Sequence, residues 1–553
     1  MKDTFRQSMK WLHTWVGLVV GWVLFFMFLT GTLGYFYQEI TRWMQPERPL
    51  IVHEVSTEAL LDRAQQFAEI HAKGVDEYDI LLPSSRDQNL RLGWRHAPEP
   101  GKKRGRYKQT VVDIESAENV ATRETGGGRT LYRMHYRLHY MDTSISYWLV
   151  GFCTMLMLLA VITGVVIHKK IFSDFFTFRA KKGLPGWLDS HNALSVIALP
   201  FHFMITYSGL LFFLFMYMGV SSNFQTNDDE FKEMRKEIFP RSAHVEPAGI
   251  PAEMRSFSSL YDIAQQQWQT DNLRYVTVHA PNDINAQIAF VRNETDITYN
   301  QGDEVVVNGI SGELISGNHK DYTVSGVIHN GFYSLHEGQF AGTLARWVYF
   351  ITGLIGTAMI ASGLVLWTTK RKPQQMKKLN GPDFGYRLVE QLNIGTIVGL
   401  PIAIAAYFYA NRLLPVTMEN RGEWEVHIMF ITWALLLLYP AIRPAGKAWL
   451  EQLQLASIVF ILLPMVNALT TDKHLGVTLP HGDWNLAGFD LTLIAVGISF
   501  AFARYKMKVI QQSNNARRKP TKSSIERSTN RKSPLENTPK PDLVLTKTGG
   551  DTV

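Results

Sequence analysis

Between Lys10 and Glu39 lie 28 consecutive residues without a formal charge, and crossing the hydrocarbon of a bilayer takes only about 20. That run commits the chain to a membrane before anything else is read. It lacks the short apolar core and small-residue cleavage site of a signal peptide. Trp11 to Tyr35 therefore reads as a retained first span, with His13 near its mouth. Further charge-free runs occupy Thr143 to Ile167, Ser190 to Asn227 and Trp347 to Thr369. Shorter ones follow at Gln391 to Asn411, Val426 to Ile442, Gln452 to Thr471 and Asp490 to Ala503, giving about eight expected spans. Asp490 is costly in hydrocarbon unless it faces protein or the interface.

Orientation follows from short basic flanks. Lys2, Arg6 and Lys10, then Lys169 to Lys182, then "KRKPQQMKK", then Arg443, Lys447 and the tail from Arg504 all fall on one side if both termini are cytoplasmic. The net charge of +7 is thus mainly a topology signal. No nucleic-acid motif accompanies it, and the bilayer is the expected partner of this basic surface. The lone Cys153 excludes an intramolecular disulfide, a cysteine-rich iron–sulfur site and c-type haem attachment.

The expected order is an N-terminus and first span (1–36), an external α+β region (37–142), two spans with an internal loop (143–221) and a second external α+β region (222–346). A fourth span (347–369), a linker (370–390), a C-terminal membrane region of four spans (391–505) and a disordered tail (506–553) complete it. Each external region runs from an amphipathic helix, "STEALLDRAQQFAEIHAKG" or "SFSSLYDIAQQQWQTDN", into strand-like segments.

The duplication extends into the membrane. His13 is followed 17 and 18 residues later by Thr30-Gly31, and His191 at the same distances by Ser208-Gly209. A second set begins outside, with His139 ahead of Thr163-Gly164 and His336 ahead of Ser362-Gly363. Four histidines at membrane thresholds, two near each face, suit two b-type haems with two imidazole ligands each, while small residues leave room beside a flat porphyrin. His139 with His336 is the expected outer pair and His13 with His191 the inner pair. His135, His168, His202 and His329 are the alternates. The competing reading leaves these histidines as interfacial or packing residues.

The stretches "WLHTWVGLVVGWVLFFMFLTG", "YRLHYMDTSISYWLVG", "DSHNALSVIALP" and "GFYSLHEGQFAG", spread over residues 5 to 370, resemble the PepSY-associated transmembrane-helix family, which includes iron-regulated membrane proteins and ferric-siderophore reductases. The resemblance implies a mainly α-helical polytopic protein of the bacterial inner membrane, with a four-helix core, two periplasmic α+β PepSY-like domains and haem-dependent reduction of a ferric siderophore or other periplasmic ferric complex. No dinucleotide-binding G-x-G-x-x-G is recognised, so the electron donor is expected to be a quinol or another protein. The alternative function is a non-catalytic membrane binding or regulatory module that uses its external repeats.

Overall fold

The computed structural model describes residues 4–49, 55–95, 105, 107–168, 184–214, 216–217, 245–269, 272–292, 304–317, 323–338 and 340–518. The first half runs through α1 (Phe5–Gly34), α2 (Tyr37–Met44), α3 (Thr57–His71), strands β1 (Glu77–Leu81), β2 (Leu90–Arg95), β3 (Tyr107–Val112) and β4 (Asn119–Val120), then α4 (Gly127–Tyr136) and α5 (Thr143–Ile167). The second half repeats the plan with α6 (Leu184–Ile197), α7 (Leu199–Leu211), α8 (Phe257–Trp268), β5 (Leu273–His279), β6 (Gln287–Arg292), β7 (Glu304–Asn308), β8 (Leu314–Ser316), α9 (Val324–Glu337) and α10 (Thr343–Gln375). The chain continues through α11 (Phe384–Ile397), α12 (Gly399–Leu413), α13 (Arg421–Ile442), α14 (Ala445–Thr470), α15 (Leu475–Thr478) and α16 (Trp484–Arg518).

Seven helical segments among the described residues are long and apolar enough to cross a membrane, and the bent pair α6–α7 makes an eighth. The 67° bend falls where Pro200 enters α7. A proline there has no N–H to donate and its ring crowds the carbonyl one turn back, so the helix cannot run straight. Helices α1, α5, α6–α7 and α10 pack as the core bundle, with α1 against both α5 and α10. The last span, α16, accommodates its carboxylate: Asp490 is buried and accepts from Trp43 Nε1 at 2.9 Å and Asn467 Nδ2 at 3.1 Å. Helix α16 runs on to Arg518, over the start of the expected tail, because the first proline in that stretch is Pro520. Residues 519–553 lie outside the described set. A second compact unit begins at Phe502.

The two α+β repeats share one antiparallel sheet, ordered β4-β3-β2-β1-β5-β6-β7-β8. Each half contributes a four-strand meander, and the meanders join through their first strands, with Asp79 opposite Thr277 and Ile80 opposite Val276. Alternation sorts the two faces. Tyr78, Ile80, Leu92, Val276 and Phe290 pack with α3 and α8 in one apolar cluster. Asp79, Leu81, Arg91 and Thr277 point the other way, into a cavity above the membrane core.

Candidate functional site

Two histidine pairs are present, one within the core bundle and one packed against its sheet-side end. His13 on α1 and His191 on α6 have ring centres 6.3 Å apart. His135 on α4 and His336 on α9 have ring centres 6.0 Å apart. The first pair lies toward the end of the bundle away from the sheet. The second lies toward the sheet, because His135 meets Gly31, eighteen residues beyond His13 on α1 and about 27 Å further along its axis.

Each imidazole rests in the same kind of seat, built from a carbonyl, a hydroxyl three residues later and a glycine immediately after. His13 Nδ1 lies 3.0 Å from the Ala160 carbonyl and 3.3 Å from Thr163 Oγ1, with Gly164 beside the ring. His191 Nδ1 lies 3.0 Å from the Met359 carbonyl and 3.2 Å from Ser362 Oγ, with Gly363 beside it. His135 Nδ1 donates to the Met27 carbonyl at 2.7 Å, one turn before Thr30 and against Gly31. His336 is bound by Ser208 Oγ at 2.9 Å and the Ile205 carbonyl, against Gly209.

A carbonyl can only accept, so Nδ1 carries the proton and Nε2 of each neutral ring keeps its lone pair. No hydrogen bond to any of the four Nε2 atoms is present among the described residues. Burial holds His135 and His336, both outside the spanning helices, below the ordinary imidazole pKa; beside His135, His336 falls to about 3. Both rings are therefore neutral at physiological pH.

Every seat lies within one half of the duplication, whereas every pair joins the two halves. Helix α5 seats His13 and α1 seats His135, while α10 seats His191 and α7 seats His336.

The sheet-side pair opens into a cavity of about 1380 Å³ lined also by the polar sheet face. Six arginines among the described residues line it. Arg86 and Arg346 share Glu39, at 2.7 and 3.1 Å, and Arg48 and Arg91 share Asp87, at 2.6 and 3.3 Å. Those bridges pin the 84–87 loop to α2 and α10 and fix the cavity wall. Between the two pairs His202 is buried, edge-on to Phe28 at 6.4 Å and against Gly356, and its Nε2 has no hydrogen-bond partner among the described residues.

Of the expected pairs, the structure makes His13–His191 but brings His135, not His139, to His336. His139 stacks instead on Phe430 of α13. The shared "Leu-His" word aligns His139 with His336, whereas the distance to the next helix aligns His135: it precedes Thr143 by eight residues and His336 precedes Thr343 by seven. His168 closes α5, and His329 is buried in α9 with its ring 6.3 Å from Tyr333. The seats themselves were legible only as small-residue pairs, because a backbone carbonyl leaves no mark in sequence.

The pairs pass a geometric test for haem. An imidazole nitrogen bonds a metal at about 2 Å, so two rings on opposite faces of one iron have centres roughly 6 Å apart. Both separations match, Nε2 is the free nitrogen in every ring, and the glycines clear space beside the imidazoles. A family model described as the PepSY-associated TM region matches residues 10–370, which contain both pairs and the whole sheet, so the chain belongs to that family. No curated protein matches the sequence.

Proposed function

We propose that this PepSY-associated membrane protein is a di-haem b oxidoreductase of the bacterial inner membrane, passing single electrons to a periplasmic ferric complex, with a ferric siderophore as the favoured acceptor. The observation that carries the reading is the fourfold repetition of one imidazole seat, arranged as two facing pairs near opposite ends of the bundle. His13 and His191 would hold one haem and His135 and His336 the other. Haem iron between two imidazoles supplies reversible one-electron transfer.

The chain's own residues do the rest. The seat carbonyls fix the tautomer and ring direction, an outer-shell role that also raises ligand basicity. The spanning helices enclose His13 and His191, while the sheet-side pair faces the cavity. The cavity beside His135 and His336 gives an acceptor room to approach the outer pair, against a polar wall of Arg91, Tyr107 and Arg274. Reduction of ferric iron to ferrous weakens its hold on hard oxygen ligands and favours release. With no dinucleotide motif recognised in the sequence, the donor is a quinol or a protein.

Pyridine haemochrome analysis of the full chain should give two b-type haems per protein. His135→Ala should abolish one bis-imidazole resonance and His191→Ala the other, while His139→Ala keeps both. A folded preparation that takes up no haem would remove the redox reading. Retention of both resonances in His135→Ala would remove the outer-pair assignment.

A further inference from the structure

The sheet-side cavity holds more positive charge than its own carboxylates offset. Among the described residues its six arginines stand against Asp79, Asp87 and Glu337, with Glu39 paired to two of them. Asp87 is likewise shared by two arginines. The other two carboxylates are engaged by hydroxyls. Asp79 accepts from Thr277 Oγ1 at 2.9 Å and from Tyr107 at 3.4 Å, and Glu337 accepts from Tyr132 at 2.6 Å. Arg129 and Arg274, both exposed residues of the cavity lining, make no ion pair among the described residues.

Local structure does not account for either position. Arg129 lies in the first turn of α4, where the helix dipole disfavours a cation. Arg274 occupies a bulge in β5: the register slips between Leu273 and Tyr275, while Leu273 and Val276 both pack in the apolar cluster. The extra residue lets Arg274 and Tyr275 reach the cavity together, the re-aiming that a bulge performs. Burial and Asp79 push the Tyr107 hydroxyl up to about 12, while Arg129 and Arg91 pull it back, so α4 and the sheet bring cations to one spot. Arg129 precedes His135 by six residues, about 9 Å along the axis of α4.

We propose that this cavity selects an anionic ferric chelate, with Arg129 and Arg274 gripping its negative charge. That the ligand is a ferric acceptor rests on the function proposed above; the preference for negative charge rests on the arginines alone. Ferric iron held by three catecholates is triply negative, whereas the same iron held by three hydroxamates is neutral. The cavity should separate these two classes of chelate. A recess lined by one sign of charge and walled by protein focuses its field on the ligand more strongly than open water allows.

The test is equilibrium binding to the purified full-length protein in detergent, with gallium(III) in place of iron. Gallium(III) has the charge and nearly the radius of ferric iron but takes no electron from haem, so binding is read without turnover. The gallium tris-catecholate should bind at least about tenfold more tightly than the gallium tris-hydroxamate at low salt, and rising salt should erase that margin. Arg129→Gln and Arg274→Gln should each weaken tris-catecholate binding about fivefold, leaving hydroxamate binding and haem content unchanged. Should either variant fail to fold, the other decides the question. Equal affinity for the two chelates, binding of neither, or wild-type tris-catecholate binding in the folded variants would overturn the proposal. So would displacement of the chelate by phosphatidylglycerol but not phosphatidylcholine in nanodiscs, which would make the arginines a lipid-headgroup site. Haem lost from the variants with chelate binding intact would overturn it too, by making them partners of the haem propionates. Charge-selective binding to a chain that carries no haem would remove the redox reading and leave this site standing.

Discussion

Gly31, Gly164, Gly209 and Gly363 hold equivalent positions in the four imidazole seats, yet their clearances differ. An added Cβ would stand 2.6 Å from His135 at Gly31, 3.1 Å from His336 at Gly209, 3.1 Å from His191 at Gly363 and 3.4 Å from His13 at Gly164. Alanine in a helix interior is worth about 1 kcal/mol over glycine, so the sign of each substitution depends on whether the ring can yield. Under the proposed di-haem function, Gly164→Ala should leave haem content intact and raise thermal stability slightly. Gly31→Ala should drive the ring off the Met27 carbonyl and deplete the sheet-side centre, read as haem per chain in otherwise identical preparations. At the cavity wall, burial pushes the Asp87 carboxyl up, but Arg91, Arg48 and the Asn89 N–H outweigh it and hold its pKa below the ordinary range. A depressed folded pKa contributes stability above the unfolded value of about 4, and that contribution is lost as pH falls through the folded value. Acid should therefore weaken the wild type below about pH 4, whereas Asp87→Asn should be less stable at neutral pH and lose less on acidification, measured by melting across pH.

Among the elements, the added C-terminal helices carry a fully buried ion pair. Arg421 and Glu425 are both fully buried, one turn apart on α13 and 2.5 Å apart. Asn411 Nδ2 and Thr125 Oγ1 also donate to Glu425, at 2.7 and 2.6 Å. Removing one member of such a pair strands the other, typically at 3–5 kcal/mol, while replacing both with apolar residues is often neutral. Arg421→Met should lower the melting temperature in detergent sharply, and Arg421→Met with Glu425→Leu should recover much of it. No recovery in the double variant would mean that the wider network, not the pair, holds α13. The spans themselves were legible in sequence because a charge-free run is a local signal. The ion pair was not, because "RGEWE" reads as an ordinary polar helix start until Thr125 and Asn411 close around it.

At the scale of the whole molecule, the duplication was legible but the way its halves join was not. The amphipathic helices and strand segments of both repeats could be read from alternation, whereas β1 and β5 pair across nearly two hundred residues of chain that carry no register information. Their union makes the sheet one cooperative body. Thr277 pairs with Asp79 on one side and Ala289 on the other, and a proline in a central strand removes a ladder hydrogen bond. Thr277→Pro should therefore expose amides in β1–β3 as well as β5–β7, followed by hydrogen exchange. Loss confined to the second repeat would show two independent sheets.

The placement of the seats has a further consequence for how the protein is put together. Since each half cradles its own imidazoles and each facing pair takes one ring from either half, any group bonded to both rings is a rivet through the dyad. Binding of such a group and the closing of the two halves would then be a single equilibrium. Cohesion between the halves grows with the logarithm of ligand concentration, reaching about 4 kcal/mol at a thousand times the dissociation constant. Were both pairs so occupied, the two links, one toward each end of the bundle, would add to the joint that β1 and β5 already make between the halves.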